Sequence, residues 1–118
     1  FGNYPSIVMR VVFNEGWGQH DTERYVGLVK QWDATRLVNN ASGWTDKNIG
    51  DVLDVHRYPG PGAPPPQSDR VGVLGEFGGL KLGVDGHTWT DKTWGYRETA
   101  SAAELTGRYQ GLLRGVWG

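Results

Sequence analysis

The run Ile7-Val8-Met9-Arg10-Val11-Val12-Phe13 is apolar at all but one position and rich in β-branched residues. A run without alternation predicts a strand covered on both faces, which is the habit of parallel sheets. Parallel strands need long crossover connections, usually helical, so this run constrains the rest of the chain: apolar runs must alternate with helices. They do so here. Asp21-Thr22-Glu23 predicts a helix start, with Asp21 as cap and an acid in the first turn. Tyr25, Leu28, Val29 and Trp32 come next at i, i+3, i+4 and i+7 and give that helix an apolar face. Arg36 to Asn40 reads as a short strand, Thr45 to Gly50 as one helical turn, Val52 to Tyr58 as a third strand and Val71 to Gly75 as a fourth. Ser101-Ala102-Ala103-Glu104 is a capping box. It opens a helix with Leu105, Tyr109, Leu112 and Leu113 on one face and Gly115 near its end. This order predicts an α/β fold with parallel strands and right-handed crossovers. Arg10 is the one charge in the first strand, and it needs a partner there.

Two connections stand apart. Pro59-Gly60-Pro61-Gly62-Ala63-Pro64-Pro65-Pro66 has too many prolines for regular structure. Inside a compact domain it is expected as an ordered loop, not as a linker or an adaptor ligand. Residues 80–96 form a long loop rich in Gly and Trp, a length that often marks function. The whole chain of 118 residues suits one small domain with a core of its own.

Several function classes drop out. A net charge of −1 without a basic run gives no reason to expect nucleic acid or an anionic membrane as partner. No apolar run approaches the roughly 18 residues of a membrane span. The absence of cysteine excludes disulfides, thiolate metal sites and a Cys nucleophile, and leaves the compartment open. Phe1-Gly2-Asn3-Tyr4-Pro5 is not a signal peptide and reads as the interior of a longer protein. His20, His56 and His87 show no ligand spacing of the His-x-x-x-His kind, so no metal is expected.

The chemistry lies at the ends of the apolar runs. Val11-Val12-Phe13-Asn14-Glu15-Gly16-Trp17 and Val73-Leu74-Gly75-Glu76-Phe77-Gly78-Gly79 each deliver a Glu from a strand into a Gly-flanked loop. In parallel α/β folds the chemistry gathers at the C-terminal strand ends. Glu15, Asn40, His56, Tyr58 and Glu76 all fall at or just beyond such ends. Two carboxylates suit retaining glycoside hydrolysis, which needs carboxyl groups about 5–5.5 Å apart. One protonates the leaving oxygen and later deprotonates water, while the other attacks the anomeric carbon. Asn14 is either a turn residue or a holder of a sugar hydroxyl. Tyr58 either packs or donates a hydrogen bond to a carboxylate. His56 is either a satisfied structural histidine or a substrate contact. Six Trp and five Tyr serve cores or sugar-stacking floors. Trp17, Trp44, Trp89 and Trp94 fall in the loops, and Trp17 and Trp44 are the first candidates for substrate contact.

Asn14-Glu15-Gly16-Trp17-Gly18-Gln19, Asp54-Val55-His56-Arg57-Tyr58-Pro59-Gly60-Pro61-Gly62 and Leu74-Gly75-Glu76-Phe77-Gly78-Gly79, with Pro5-Ser6-Ile7-Val8-Met9 ahead of them, resemble the catalytic (β/α)8 barrel of family 2 glycoside hydrolases. That group includes β-galactosidases, β-glucuronidases and β-mannosidases. The resemblance implies a retaining β-glycosidase acting on terminal β-linked sugars through a covalent glycosyl-enzyme, without a cofactor. It implies Glu15 as acid/base after barrel strand four and Glu76 as nucleophile after strand seven. Asn14 would bind the hydroxyl next to the anomeric carbon, and Tyr58 would hydrogen-bond the nucleophile. His56 has no equally firm family role. Arg10 departs from the pattern, where an apolar or aromatic residue is expected. Because a complete barrel takes about 250 residues, the resemblance implies a partial TIM (β/α)8 barrel, about strand four to helix seven, as a fragment of a longer enzyme. The fragment alone is expected to turn over little, and self-association is one way to cover its open edges. Two other functions remain open: a carbohydrate-binding or scaffold unit without catalysis, and a metal-dependent hydrolase.

Overall fold

The computed structural model describes residues 2–90 and 92–118; Phe1 and Asp91, which fall in the N-terminal stretch and the long loop, lie outside the described residues. The chain divides into two compact units, Phe1–His56 with Ala63–Gly75, and Arg57–Gly62 with Glu76–Gly118.

The first unit begins with β1 (Met9–Asn14), crosses over through α1 (Thr22–Trp32) and returns as β2 (Leu37–Ser42), parallel to β1. Met9 lies opposite Leu37 and Asn14 opposite Ser42. Val26, Val38, Ala41 and Val52 are its buried apolar residues. The face α1 buries centres on Thr22 and Val26, whereas Trp32, expected on that face, is 78% exposed. Asp21 occupies the cap position in a left-handed conformation (φ 42°) and makes no side-chain cap bond. The helical turn expected over 45–50 does not form. Thr45 (φ 62°) and Asn48 (φ 58°) are left-handed, which a right-handed turn cannot accommodate.

The remaining strands are β3 (Val52–Arg57), β4 (Val71–Phe77), β5 (Leu80–Lys81) and β6 (Arg97–Glu98), and the chain closes with α2 (Ala102–Trp117). β3 pairs with β4, and β5 pairs in parallel with β6. The described strands thus form three separate two-stranded sheets, and the expected partial (β/α)8 barrel is not the fold. The cause is visible at β2. A barrel would require the free edge of β2 to ladder onto β3. Instead the Val38 amide donates to the Asp51 carboxylate (2.7 Å), and the Val38 carbonyl accepts from the Asp51 amide (2.8 Å). Asn39 makes an isolated antiparallel bridge with Gly50, where a Cβ would lie 2.5 Å from the Val38 carbonyl oxygen. The loop before β3 therefore occupies the edge of β2 at Val38, where a barrel would have placed the next strand. The run expected to be covered on both faces is not: Val11 in β1 is half exposed, and Val8, just before the strand, more so.

Arg10 has the partner its position demands. Its Nε and Nη2 both donate to Asp33 Oδ2, at 3.3 and 3.1 Å. Asp33 also accepts from Arg36 Nη1 (2.6 Å) and from the Thr35 hydroxyl (2.8 Å). The rest of the Arg36 guanidinium holds three backbone carbonyls, those of Ile7, Gly2 and Tyr4, at 2.6, 3.0 and 3.1 Å. The hydrogen bond from Thr35 and then those from Arg36 and Arg10 hold the Asp33 carboxyl far below its ordinary 3.8, against the opposing effect of burial. A carboxylate depressed in the folded state stabilises the fold above its unfolded value, and that contribution is lost as pH falls from about 4 through the folded value. Asp33→Asn should therefore flatten the fall of the melting temperature below about pH 4. An acid limb as steep as that of the parent would refute this origin.

A second charge cluster closes the loop between β2 and β3. Arg70 is buried and donates from Nη1 and Nη2 to the two oxygens of Asp46 (2.8 and 2.9 Å), with Asn48, Gln67 and the Val52 carbonyl on its remaining donors. Burial raises the Asp46 carboxyl, but the hydrogen bonds from Arg70 and Asn40 and the Arg70 charge outweigh it and hold the group below its ordinary value. The planar guanidinium suits this bidentate geometry in a way a lysine does not.

In the second unit α2 begins as the capping-box pattern predicts. The Ser101 hydroxyl accepts from the Glu104 amide (3.1 Å). The Glu104 carboxylate reaches back to the Ala100 amide (2.8 Å), one residue earlier than in the standard box. Leu112 is the buried residue of α2, while Tyr109 is exposed. Among the described residues no helix is long and apolar enough to cross a membrane.

Candidate active-site carboxylates

Glu15 comes directly after β1. Its backbone is left-handed (φ 53°), unusual for a residue with a side chain, and its amide donates to the Ser42 carbonyl (2.9 Å). This kink turns the side chain out of the strand direction. Glu15 Oε1 lies 2.8 Å from His56 Nδ1. The His56 side chain is fully buried, while that of Glu15 keeps 19% of its surface. The Trp44 indole donates to the Glu15 carbonyl (3.1 Å), and its ring meets His56 edge-on at 5.6 Å. Gly43 (φ 94°) lies against the other side of His56; a Cβ there would be 2.7 Å from Nδ1, so no side chain fits.

Behind His56 is a polar chain that sequence reasoning missed. Ser42 Oγ lies 2.7 Å from His56 Nε2 and 2.7 Å from Asp54 Oδ2. Asp54 also accepts from Asn39 Nδ2 (2.7 Å) and the Gly75 amide (2.9 Å). Ser42, Asp54 and His56 are all buried. A signal was present: Asp54 and His56 are two apart in a strand and so share a face, and that face is the buried one of β3. Asn40, expected at a strand end near the chemistry, is instead buried within β2. It braces the adjoining loop through Asp46, the Ile49 carbonyl and the Lys47 amide.

Glu76 belongs to the second unit and lies within β4, not beyond it, with its side chain exposed. The Tyr58 hydroxyl donates to Glu76 Oε2. The Tyr58 ring stacks on Tyr96 with centroids 4.0 Å apart and planes 8° from parallel. Both rings close on Gly79 (φ 59°), where a Cβ would collide with Tyr96. The phenol is therefore held in position by aromatic packing and not only by its hydrogen bond. Tyr96 was not singled out from the sequence.

The remaining candidates fall on surfaces. Asn14 ends β1 with an exposed side chain, and its carbonyl accepts from the Trp17 amide (3.0 Å). Trp17 is 80% exposed beyond that turn, whereas Trp44 is half buried against His56. Neither a scan against protein-family models nor a search of curated proteins found a match to this chain. The role of the carboxylates therefore rests on their own surroundings.

Proposed function

We propose that the chain supplies the two catalytic carboxylates of a retaining β-glycosidase, with Glu76 as nucleophile and Glu15 as acid/base. The observation that carries this reading is the Tyr58–Glu76 hydrogen bond. A phenol fixed by stacking donates to one carboxylate oxygen and so orients the other toward an electrophile. Glu15 supports it from the other role, because a carboxylate in contact with a buried imidazole has a proton source at hand. Glu76 attacks the anomeric carbon as the glycosidic C–O bond breaks, and Glu15 gives its proton to the departing oxygen. Glu15 then takes a proton from the water that releases the sugar from Glu76.

The acid role is tested by Glu15→Ala in the complete gene product. Aryl β-glycosides whose leaving group needs no proton should lose little in the first step, and alkyl β-glycosides should lose roughly 10²–10⁴-fold in kcat/KM. Equal losses on both substrates would end the acid assignment.

The exposed Trp17, Trp89 and Trp94 favour a second reading, a sugar-binding unit without turnover. Undiminished glycan binding by Glu15→Ala/Glu76→Ala, with no hydrolysis by the parent protein, would select it.

A further inference from the structure

The chain of contacts Asp54–Ser42–His56–Glu15 lies entirely within the first unit, and its direction is set by proton counting. Asp54 receives three hydrogen bonds on its two oxygens, from Asn39, Ser42 and the Gly75 amide. Asn39 Nδ2 and the Gly75 amide can only donate, so both Asp54 oxygens already act as acceptors, and Oδ2, which accepts from Asn39, is also the oxygen that faces Ser42. The Ser42 hydroxyl has a single proton, and it goes to Asp54 Oδ2. Ser42 Oγ must then accept at its contact with His56 Nε2, which requires a proton on Nε2. The opposite direction would need a proton on Asp54 Oδ2, the same oxygen that accepts from Asn39 Nδ2 at 2.7 Å, and a protonated carboxyl oxygen is a poor acceptor.

With Nε2 protonated, the other ring nitrogen decides what Glu15 carries. A neutral ring protonated at Nε2 presents a bare Nδ1, which makes a 2.8 Å contact with Glu15 Oε1 only if Glu15 holds a proton. A charged ring presents Nδ1–H to the Glu15 carboxylate. Both forms contain one proton between Nδ1 and Oε1. The form without it, a bare Nδ1 facing a bare carboxylate, is repulsive.

We propose that Asp54 and Ser42 are positioning residues that fix His56 in its Nε2–H form and thereby keep one transferable proton on the His56–Glu15 contact. The relay loads Glu15 as an acid; that consequence rests on the glycosidase reading, whereas the proton order itself does not. The sequence of atoms Ser Oγ, His Nε2, His Nδ1 and Glu Oε1 also matches a serine-hydrolase triad. The proton direction is the reverse of what a nucleophile needs, because Ser42 gives its proton to Asp54 and is buried.

Side-chain nitrogen NMR on the histidine-labelled complete gene product reads the proton order directly, with His56 assigned by His56→Gln. The parent protein should show a protonated, slowly exchanging Nε2 at neutral pH. Ser42→Ala removes the acceptor, so the ring should turn to the Nδ1–H form donating to Glu15. Glu15→Gln, which leaves the relay intact, should keep Nε2 protonated. A bare Nε2 in the parent protein, or an unchanged ring in a folded Ser42→Ala, would overturn the proposal; Glu15→Gln alone decides if Ser42→Ala does not fold, since loss of the Nε2 proton there also overturns it. The activity arm is separate. Ser42→Ala should lose ~10–100-fold on alkyl glycosides and little on activated aryl glycosides, part of the 10²–10⁴ available to a general acid. The expected spectra from a protein that hydrolyses no glycoside would uphold the proton order and remove the glycosidase reading.

Discussion

Glu76→Ala in the complete gene product should lower hydrolysis of aryl β-glycosides by at least about 10³-fold, because no other group then forms the bond to the anomeric carbon. The loss should be accompanied by a change in product. Azide added to this variant enters from the side the carboxylate has vacated and yields an α-glycosyl azide. Azide added to Glu15→Ala instead attacks the glycosyl-enzyme still formed on Glu76 and yields the β-anomer. The two stereochemical outcomes assign the roles independently of rate. A Glu76→Ala protein that kept most of its rate would remove the nucleophile from the proposal. The β-anomer from Glu76→Ala would exchange the roles of the two residues. Tyr58→Phe should cost far less, since the stacked ring persists on Tyr96 while the hydrogen bond to Glu76 is lost.

Asp54→Ala should be the most damaging single change to stability, at about 3–5 kcal/mol. The carboxylate is buried, and its removal strands the buried Asn39 amide and Ser42 hydroxyl and leaves the Gly75 amide without its acceptor. These donors come from β2 and β4 and the carboxylate from β3, so the loss is felt by three strands together. Urea unfolding should show a lower midpoint with an unchanged slope. Gly75→Ala should approach the same cost from the opposite direction, because a Cβ at Gly75 would sit on the Asp54 carboxylate. A midpoint within error of the parent for Asp54→Ala would show that Asp54 is dispensable to the fold.

The elements with strong local signals were legible in the sequence. The apolar runs became β1, β3 and β4, and Ser101 and Glu104 cap α2 through the bond their spacing predicts. The need of Arg10 for a partner was also legible, although the identity of Asp33 was not, since it depends on how α1 returns to β2. The barrel was not legible, and the resemblance misled on it. The Asp51 carboxylate takes the Val38 amide on the edge of β2, and no periodicity reports such a contact. At the candidate carboxylates, the motifs named Glu15, His56, Tyr58 and Glu76. They missed Ser42 and Tyr96, because the ties of these residues to His56 and Tyr58 cross 14 and 38 positions of sequence. Asp54 stood in the quoted motif, but its role appears only once the buried face of β3 is known.

The Arg36 guanidinium holds the segment before β1 by the carbonyls of Gly2, Tyr4 and Ile7. Every amino acid has a carbonyl, so this tether does not depend on which side chains the segment bears. Mutational tolerance should accordingly be lopsided. A library randomised at Gly2 to Ile7 should retain most of its folded members, while one randomised at Arg36 should retain few, since no other side chain offers a planar fork that spans three carbonyls and Asp33 at once. Sequence drift in that stretch is open at the residues being held and closed at the single residue that holds them.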